Sequence, residues 1–408
     1  MLPGRWLVSI ILLGALGILS WYAVLVTRAD AFFRNNDLAS LQNAVRLAPS
    51  NAAYHAILAE HLEAAGANPD AELGIASHLS PHESRYWIRR GFRAEVEQRY
   101  DDSERYLLEG YRVDRGFAPR WALMNYYFRR QMYPKFWQYT REALEMSSGN
   151  LDPIFRLCLI VSDDSSVTRK ALPPKREILF SFLQYLIQHE PTDSATSIAS
   201  ELAPGAQEEE VPELLVFCDR QMGHDIKSAM RVWNALCHRQ LLPFAELSPE
   251  RGEVVTNGDF SILPLQKGFD WKYTTAEGVT VGPGEMAPGL SITFNGRETD
   301  SSELMAQPIP LSAGKQYVLH YEYRLIGNQP DSGVQWVVRG AGPNDAAGKE
   351  PLATSAVFSA TNWSNERLTF TAGDRDAARL ILLYKRAPGT IRWKGSVEIR
   401  HVRAEIMP

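Results

Sequence analysis

The stretch VVTNGDFSILPLQKGFDW at residues 254–271 separates two parts of the sequence that have different hydrophobic periods. Before it, apolar residues recur at intervals of three and four, which is typical of helices that bury one face. After it, apolar and polar residues alternate, and glycine, proline and asparagine separate the short runs, as in strands joined by turns. The sequence therefore predicts an α-helical part followed by an all-β part.

The length and net charge of the chain limit the number of domains and the kinds of partner that we expect. A chain of 408 residues is longer than one hydrophobic core usually serves, so we expect several domains. These are a membrane anchor with short flanks at 1–30, a helical domain at 31–247 and a β-sandwich at 248–408. The 43 basic and 48 acidic residues give a net charge of −5, which supplies no field that attracts nucleic acid. We expect no nucleic-acid partner.

An uncharged apolar run, WLVSIILLGALGILSWYAVLV, occupies residues 6–26. About twenty such residues cross a hydrocarbon layer of roughly 30 Å as a helix, and Trp6, Trp21 and Tyr22 stand where interfacial aromatics are favoured. A cleaved signal peptide is the alternative, because Ala29-Asp30-Ala31 resembles a small-x-small cleavage site. Since the run is longer than the usual signal core, we favour an uncleaved, single-pass anchor in the inner (cytoplasmic) membrane.

The three cysteines, Cys158, Cys218 and Cys237, lie far apart and form no CxxC pair. We expect them to be buried thiols in helices, although one bridge from Cys237 to either of the others stays open in an oxidising compartment. Neither these residues nor the nine scattered histidines have the spacing of a zinc site. No metal or cofactor is expected.

The helical part contains a repeat of about 34 residues. Polar turns, which contain proline in the first two cases, each precede a helix that opens with an aromatic residue. These aromatic residues are Tyr54, Trp87, Trp121 and Phe155. Trp87 and Trp121 are 34 residues apart, and a compact residue such as Gly91 follows the aromatic where a neighbouring helix can approach. The pattern predicts a series of helical hairpins.

These features resemble the tetratricopeptide repeat (TPR), a helix-turn-helix unit of about 34 residues. The resemblance covers roughly residues 36–148 and is degenerate, since the usual glycine is kept only at Gly91 and the closing proline only at Pro49 and Pro81. It implies a stacked array whose concave surface holds peptides or partner proteins. The expected groove residues are Tyr126, Tyr127, Arg130, Tyr133 and Trp137. Packing of these aromatics between helices is the alternative.

The period fades after residue 151, but helical stripes persist at 175–189 and 225–238, which predicts further hairpins. Two acidic runs interrupt this region, one at Asp163 and Asp164 and one at 208–210. Both lie among serine, proline, glycine or glutamine residues. We expect solvated loops there rather than paired catalytic carboxylates.

Short alternating runs continue to the carboxyl end and predict an antiparallel jelly-roll sandwich. The predicted strands are 290–294, 316–326, 334–339, 368–371, 380–384 and 391–402. The clearest run is YVLHYEYRLI at 317–326, in which Tyr317, Tyr321 and Tyr323 share one face and polar residues share the other.

Blocks in this part resemble the jelly-roll carbohydrate-binding modules of bacterial cellulases and xylanases, within the galactose-binding-like fold. The blocks are NGDFS at 257–261, GFDW at 268–271, QPIPLSAGKQYVLHYEY at 307–323 and NW at 362–363 before a TFTA strand. The resemblance covers roughly residues 253–408 and implies a sandwich with affinity for polysaccharide. Such modules often end in a strand whose aspartate helps to hold calcium. Here that strand reads VEIRHVRAEI, so calcium is not expected, although Asp259 keeps one oxygen ligand.

Sugar binding has a concrete chemical requirement. A pyranose presents an apolar face of C–H groups and a fringe of hydroxyls, so its site needs an exposed aromatic ring beside amide, carboxylate or guanidinium groups. The candidates are Trp336, Gln335, Arg339, Tyr321, Tyr323 and Trp393. Core packing of the aromatic candidates is the alternative.

The sequence carries no GxSxG, HExxH, phosphate-loop or GxGxxG motif. We therefore expect a non-catalytic protein. The order of anchor, repeat array and sandwich indicates a membrane-anchored scaffold of a bacterial cell, and the resemblance to carbohydrate-binding modules implies that its carboxy-terminal part lies outside the cytoplasmic membrane. Its array would contact a protein partner and its sandwich a glycan, in assembly or export of a surface polysaccharide. Two alternatives stay open: a structural interaction protein that binds no sugar, and a glycan-active enzyme using carboxylates such as Glu298, Asp300 and Glu303.

Overall fold

The structure is a computed structural model that describes residues 3–274, 276–285, 288–327, 332–341 and 350–407, without the side chains of residues 3–8 and 192. The predicted fold class is confirmed, because an amino-terminal apolar helix and a long helical region precede two antiparallel sheets. The residues form two compact units. The first comprises 1–163 with 170–173, and the second comprises 164–169 with 174–408.

Helices joined by short turns build the first unit. They are α1 (Pro3–Asn35), α2 (Leu38–Leu47), α3 (Ala52–Ala64), α4 (Asp70–Leu79), α5 (Ser84–Val96), α6 (Tyr100–Val113), α7 (Phe117–Arg129), α8 (Tyr133–Met146) and α9 (Asp152–Val161). The short helix α10 (Ser165–Ala171) is divided between the units. The four repeat aromatics fall in α3, α5, α7 and α9, as the sequence period predicts.

Gly91 shows why the repeat needs a compact residue. A Cβ atom at this position would lie 2.6 Å from Cγ and Cδ2 of Leu107, so a larger residue would force α5 and α6 apart. Leu107 is itself fully buried. The close approach of the two helices therefore depends on glycine.

Helix α1 runs without a break from the apolar stretch into the helical array. It is the one helix among the described residues that is long and apolar enough to cross a membrane. Its last turns pack inside the first unit, where Ala29 is buried and Tyr54 donates its hydroxyl proton to Asp30. Burial and the Asp30 carboxylate raise the pKa of Tyr54 to about 12. The candidate cleavage site thus lies inside a packed helix.

The second unit begins with helices and continues into the sandwich. Its helices are α11 (Arg176–His189), α12 (Thr196–Leu202), α13 (Val211–Gln221) and α14 (Ile226–His238). Cys218 and Cys237 lie in α13 and α14, and like Cys158 in α9 they are buried free thiols, so the alternative of a disulfide is wrong. Glu210 is also buried, where it accepts two hydrogen bonds from Arg176 at 2.9 and 2.5 Å. The expectation of a solvated loop is therefore wrong for this residue.

Within the residues that the structure describes, the sandwich contains ten strands. They are β1 (Lys272–Tyr273), β2 (Val279–Pro283), β3 (Leu290–Asn295), β4 (Ser301–Pro310), β5 (Gln316–Ile326), β6 (Val334–Gly340), β7 (Ala353–Thr354), β8 (Ser364–Thr371), β9 (Ala377–Lys385) and β10 (Lys394–Ile406). One sheet has the order β1-β4-β9-β6-β7 and the other β2-β3-β10-β5-β8, all antiparallel. Their inner faces share one apolar core.

The sequence pattern missed β4, although this strand lies inside its sheet. Proline removes a backbone donor and is usually confined to sheet edges, and β4 contains Pro308 and Pro310. Its neighbour β1 pairs only with Met305 and Ala306, so the prolines lie beyond that pairing. The absence of backbone N–H groups at Pro308 and Pro310 therefore removes no hydrogen bond between β1 and β4.

Residues 254–271 pack against the sandwich and form no strand. The side-chain amide of Gln307 satisfies both backbone groups of Thr256, as a paired strand would. Its Oε1 accepts from Thr256 N at 3.2 Å, and its Nε2 donates to Thr256 O at 2.8 Å. The backbone N–H of Val402 donates to Gly258 O at 2.9 Å. This stretch is thus held by its contacts with β4 and β10.

Helices and sandwich pack together inside the second unit. Gly268, at φ +56°, lies so close to Trp233 of α14 that a Cβ would be 2.5 Å from the indole ring. Asp219 of α13 accepts from Gly268 N at 2.8 Å and from Lys272 Nζ at 2.6 Å. The last α-helix ends at His238 and the first strand begins at Lys272, whereas the division between compact units falls near residues 164–174.

Candidate functional site

The aromatic residues predicted to stack on sugar lie in the sandwich core. Trp336 is fully buried against Trp271, with ring centroids 5.7 Å apart, and Tyr321 and Tyr323 pack on Phe358. Burial raises the pKa of Tyr321 to about 12. Trp393 is also buried, against Phe294. The prediction of exposed platforms is wrong for all four, because no ring face is open to a ligand.

The polar members of that predicted set lie elsewhere. Gln335 and Arg339 alternate with buried Trp336 on β6 and face outward from the sheet β1-β4-β9-β6-β7. Arg339 lies 3.7 Å from Glu303 of β4, which also pairs with Arg379 at 2.8 Å. The structure therefore places these two residues on the opposite outer surface from the site described next.

The outer surface of the sheet β2-β3-β10-β5-β8 carries ordered rows of polar side chains across its last three strands. In the first row, Glu398 of β10 is opposite Arg324 of β5, and Trp363 follows where β8 begins. In the second row, Arg400 of β10 is opposite Glu322 of β5, which pairs in turn with Asn365 of β8. We call these six residues the polar face.

Ion pairs order the polar face. Arg324 Nε donates to Glu398 Oε2 at 2.7 Å, and Arg400 Nε donates to Glu322 Oε2 at 2.8 Å. The Glu398 carboxylate is only 1% exposed and also accepts from the backbone N–H of Glu285 at 2.7 Å. Because each guanidinium lies beside a carboxylate on the neighbouring strand, its position is fixed before any ligand arrives.

Trp363 is the aromatic residue of the polar face, and it is partly open to solvent. The guanidinium carbon of Arg400 lies 3.9 Å from the centre of the Trp363 ring, and that of Arg324 lies 5.1 Å away. Such cation–π contacts hold an indole against a polar surface. The arrangement places a partly exposed indole beside hydrogen-bond donors and acceptors, which are the kinds of group found in sites for a pyranose.

A groove of about 500 Å³ continues from the polar face toward the 254–271 stretch. Its lining residues are Val255, Gly258, Asp259, His320, Tyr321, Glu322, Asn365, His401, Val402 and Arg403. His401 lies at a β-bulge with φ +53°, a strained conformation for a non-glycine residue, and its Nδ1 lies 2.6 Å from Asp259 Oδ1. The bulge turns the His401 side chain outward to this groove.

Asp259 is therefore engaged by His401, at the position where the resemblance suggested one oxygen ligand for calcium. Across the described ranges, no group of three or more His, Cys, Asp or Glu side chains is arranged to hold a metal ion.

The sequence does contain the signal for the polar face. Residues 363, 365, 367, 369 and 371 alternate with buried Leu368 and Phe370, so Trp363 begins the polar side of β8. The predicted strand covers only residues 368–371, whereas β8 begins at Ser364. The shorter range does not extend to Trp363. On β5 the alternation separates the face with His320, Glu322 and Arg324 from the tyrosine face, and it does not indicate which of the two is exposed.

The predicted groove of the helical array also needs correction. Tyr126 and Tyr127 are buried, and their hydroxyls donate to Tyr100 O at 3.0 Å and to Glu104 Oε1 at 2.8 Å. Arg130 lies over the Tyr100 ring at 3.6 Å. Tyr133 is 41% exposed, and Trp137 is partly buried against Phe136. The two tyrosines stabilise the array, and the prediction that they line a groove is wrong.

A different surface of the array exposes apolar side chains. Val96 is 72% exposed and Phe92 is 37% exposed, both on α5. Arg129 of α7 pairs with Glu95 at 2.7 Å, and its guanidinium lies 5.7 Å from the Phe92 ring. The result is a small apolar patch bordered by charged groups.

The carboxylates considered for catalysis are in structural contacts. Glu298 is fully buried and accepts from Tyr384 at 3.1 Å and from the backbone N–H of Trp393 at 3.0 Å. Asp300 pairs with Arg386 at 2.9 Å, and Glu303 pairs with Arg379. A fully buried carboxylate has no access to a glycan, so Glu298 does not form a catalytic pair with the other two.

Comparisons with known proteins give the following matches. No family model matches the chain, and no curated protein sequence matches it. A carbohydrate-binding module, CBM4, is 16% identical over 38% of this chain and 99% of its own, with a TM-score of 0.29. PilF of Pseudomonas aeruginosa is 16% identical over 47% of this chain and 95% of its own, with a TM-score of 0.31. PilW, a type IV pilus biogenesis factor, is 13% identical over 54% and 92%, with a TM-score of 0.29. Likenesses at this level carry no conclusion about function.

Proposed function

We propose that this protein is a non-catalytic, membrane-anchored binding protein whose sandwich binds a glycan at the polar face. The helical array engages a protein partner, and the apolar helix α1 stays attached as the anchor. The sandwich lies on the outer side of the cytoplasmic membrane. The process served is assembly or export of a surface polysaccharide.

The observation that supports glycan binding is the position of Trp363. A partly exposed indole lies beside two arginines whose own partners are carboxylates on adjacent strands. Sugars are bound by stacking on aromatic rings together with hydrogen bonds from fixed polar groups. The four aromatic residues predicted from the sequence are all buried, so none of them combines partial exposure with such neighbours.

Trp363→Ala is expected to weaken polysaccharide binding at least about tenfold, since truncating a central aromatic of an interface typically costs about 2 kcal/mol. The assay is affinity gel electrophoresis of the detergent-solubilised protein through gels containing xylan, cellulose derivatives or mixed-linkage glucan. Trp137→Ala, which alters an equally half-buried tryptophan in the array, should leave migration unchanged. The proposal fails if folded wild-type protein is retarded by no polysaccharide.

The exposed patch formed by Phe92 and Val96 supports the protein-partner part of the proposal. Exposed apolar side chains beside ordered charges are typical of surfaces that bind peptides or proteins. We expect a photo-crosslinking residue at position 96 to give a discrete protein adduct in cells. The same residue at position 108, where Leu108 is 38% exposed on α6, should give none. Equal adducts at both positions would contradict a binding site on α5.

A further inference from the structure

The turns α2–α3 and α4–α5 lie beside the predicted membrane span. A cavity of about 430 Å³ is lined on one side by Tyr22 and Val26 of α1. The remaining lining residues are Ala48, Ser50, Asn51, Ala52, Ala53, Ser80, Glu83, Arg85 and Tyr86. Both turns therefore reach back alongside residues 22–26, the last turns of the apolar run.

Nothing flexible separates the span from the array. Helix α1 is continuous from Pro3 to Asn35, and Ala29 is already buried among Ala44, Ala48 and Tyr54. From Val26 to Ala29 the helix rises only about 4.5 Å. The first hairpins thus keep a fixed height relative to the end of the span.

The side chains at this level have the chemistry of a lipid headgroup layer. Tyr22 is an aromatic residue at the end of the span, where interfacial rings are favoured. Arg28 of α1, Arg46 in the last turn of α2 and Arg85 in the first turn of α5 are exposed, and Glu83, which lines the cavity, is 3.3 Å from Arg85. Arginines at a membrane surface attract anionic headgroups.

We propose that the edge of the array formed by the α2–α3 and α4–α5 turns lies in the headgroup layer and binds anionic phospholipid through Arg28, Arg46 and Arg85. The inference rests on the membrane-anchoring part of the proposed function. It adds that the array lies directly on the bilayer, with the parallel helices α3 and α5 pointing away from it.

Spin labels measure the predicted height. Cysteines introduced by Ser50→Cys and His82→Cys test the near turns, and Ala67→Cys and Gln98→Cys test the turns at the other ends of α3 and α5. Since α3 has 13 residues, the far turns are about 20 Å more distant. Burial raises the pKa of the Cys158 and Cys237 thiols to about 12 and that of Cys218 still further, which favours labelling of the introduced cysteines.

In phosphatidylcholine–phosphatidylglycerol vesicles containing nickel-chelating headgroups, labels at 50 and 82 should show strong collisional relaxation, and labels at 67 and 98 should not. Equal relaxation at all four positions would overturn the proposal. Extraction with carbonate shows whether the protein is anchored at all, so failure of the anchor is distinguished from failure of this contact. Binding of polysaccharide is measured independently.

Lipid preference tests the arginines. The variant Arg46→Gln with Arg85→Gln should lose the preference for phosphatidylglycerol over phosphatidylcholine, measured by native mass spectrometry, by about fivefold for each arginine. The matched variant Arg34→Gln with Arg105→Gln makes the same charge change away from the two turns and should keep the preference. An unchanged preference in the first variant, or an equal loss in both, would overturn the role of these arginines.

Discussion

Replacing Gly258 with alanine is expected to lower the free energy of unfolding of the sandwich by about 3 kcal/mol, because the new methyl group overlaps the main chain. A Cβ at residue 258 would lie 1.8 Å from the carbonyl oxygen of Val402. This oxygen belongs to β10, which is hydrogen-bonded to both β3 and β5 and has little freedom to move. Urea unfolding of the detergent-solubilised protein, followed by near-ultraviolet circular dichroism, measures the change.

Gly282→Ala is the matched control for this prediction. Gly282 lies in β2 of the same sandwich, and a Cβ there meets no described atom within 4 Å. We expect its unfolding midpoint to stay close to that of the wild type. Similar midpoints for Gly258→Ala and the wild type would show that the 254–271 stretch is not held against β10 as described.

Arg324→Met is expected to destabilise the sandwich by about 3 kcal/mol, because it leaves the buried carboxylate of Glu398 without its counter-ion. The backbone N–H of Glu285 is then the remaining described hydrogen-bond donor to Glu398. The same variant should also weaken polysaccharide retention, since Arg324 is one of the two cations beside Trp363. Chemical denaturation and affinity electrophoresis report the two effects separately.

A second substitution tests the cause of this loss. Combining Arg324→Met with Glu398→Gln removes the buried charge and should recover about half of the lost stability. Arg379→Met breaks an ion pair with Glu303 on the other sheet, where the carboxylate is 33% exposed, and should cost less than about 1 kcal/mol. If the double variant is as unstable as the sum of its single variants, the buried charge is not the cause.

Periodicity in the sequence predicted the elements better than it predicted the site. The intervals between Trp87, Trp121 and Phe155 predicted the array, and strict alternation predicted β5 over the whole of Gln316–Ile326. Alternation states which residues share a face, but it does not state which face meets the second sheet. The tyrosine face of β5 packs inward because aromatic surface gains most from burial, and the ion-paired face remains outside.

Other features depend on contacts between distant segments, which a local pattern does not contain. The prolines of β4 are compatible with a strand inside the sheet only because its neighbour β1 is short and ends before them. The Trp363 surface requires β5, β8 and β10 to be neighbours, although Trp363 and Arg400 are far apart in the sequence. The alternation of polar and buried residues at 363–371 is present in the sequence, but only the strand order shows that Trp363 lies beside Arg324 and Arg400.

The place of β10 has a consequence for folding during synthesis. This strand is the last in the chain order, yet it lies between β3 and β5 and completes the closure at Gly258. A ribosome that still holds residues 394–406 therefore keeps the sheet in two separate pieces, each with exposed edges. The sandwich therefore closes only after residues 394–406 have become free to pair.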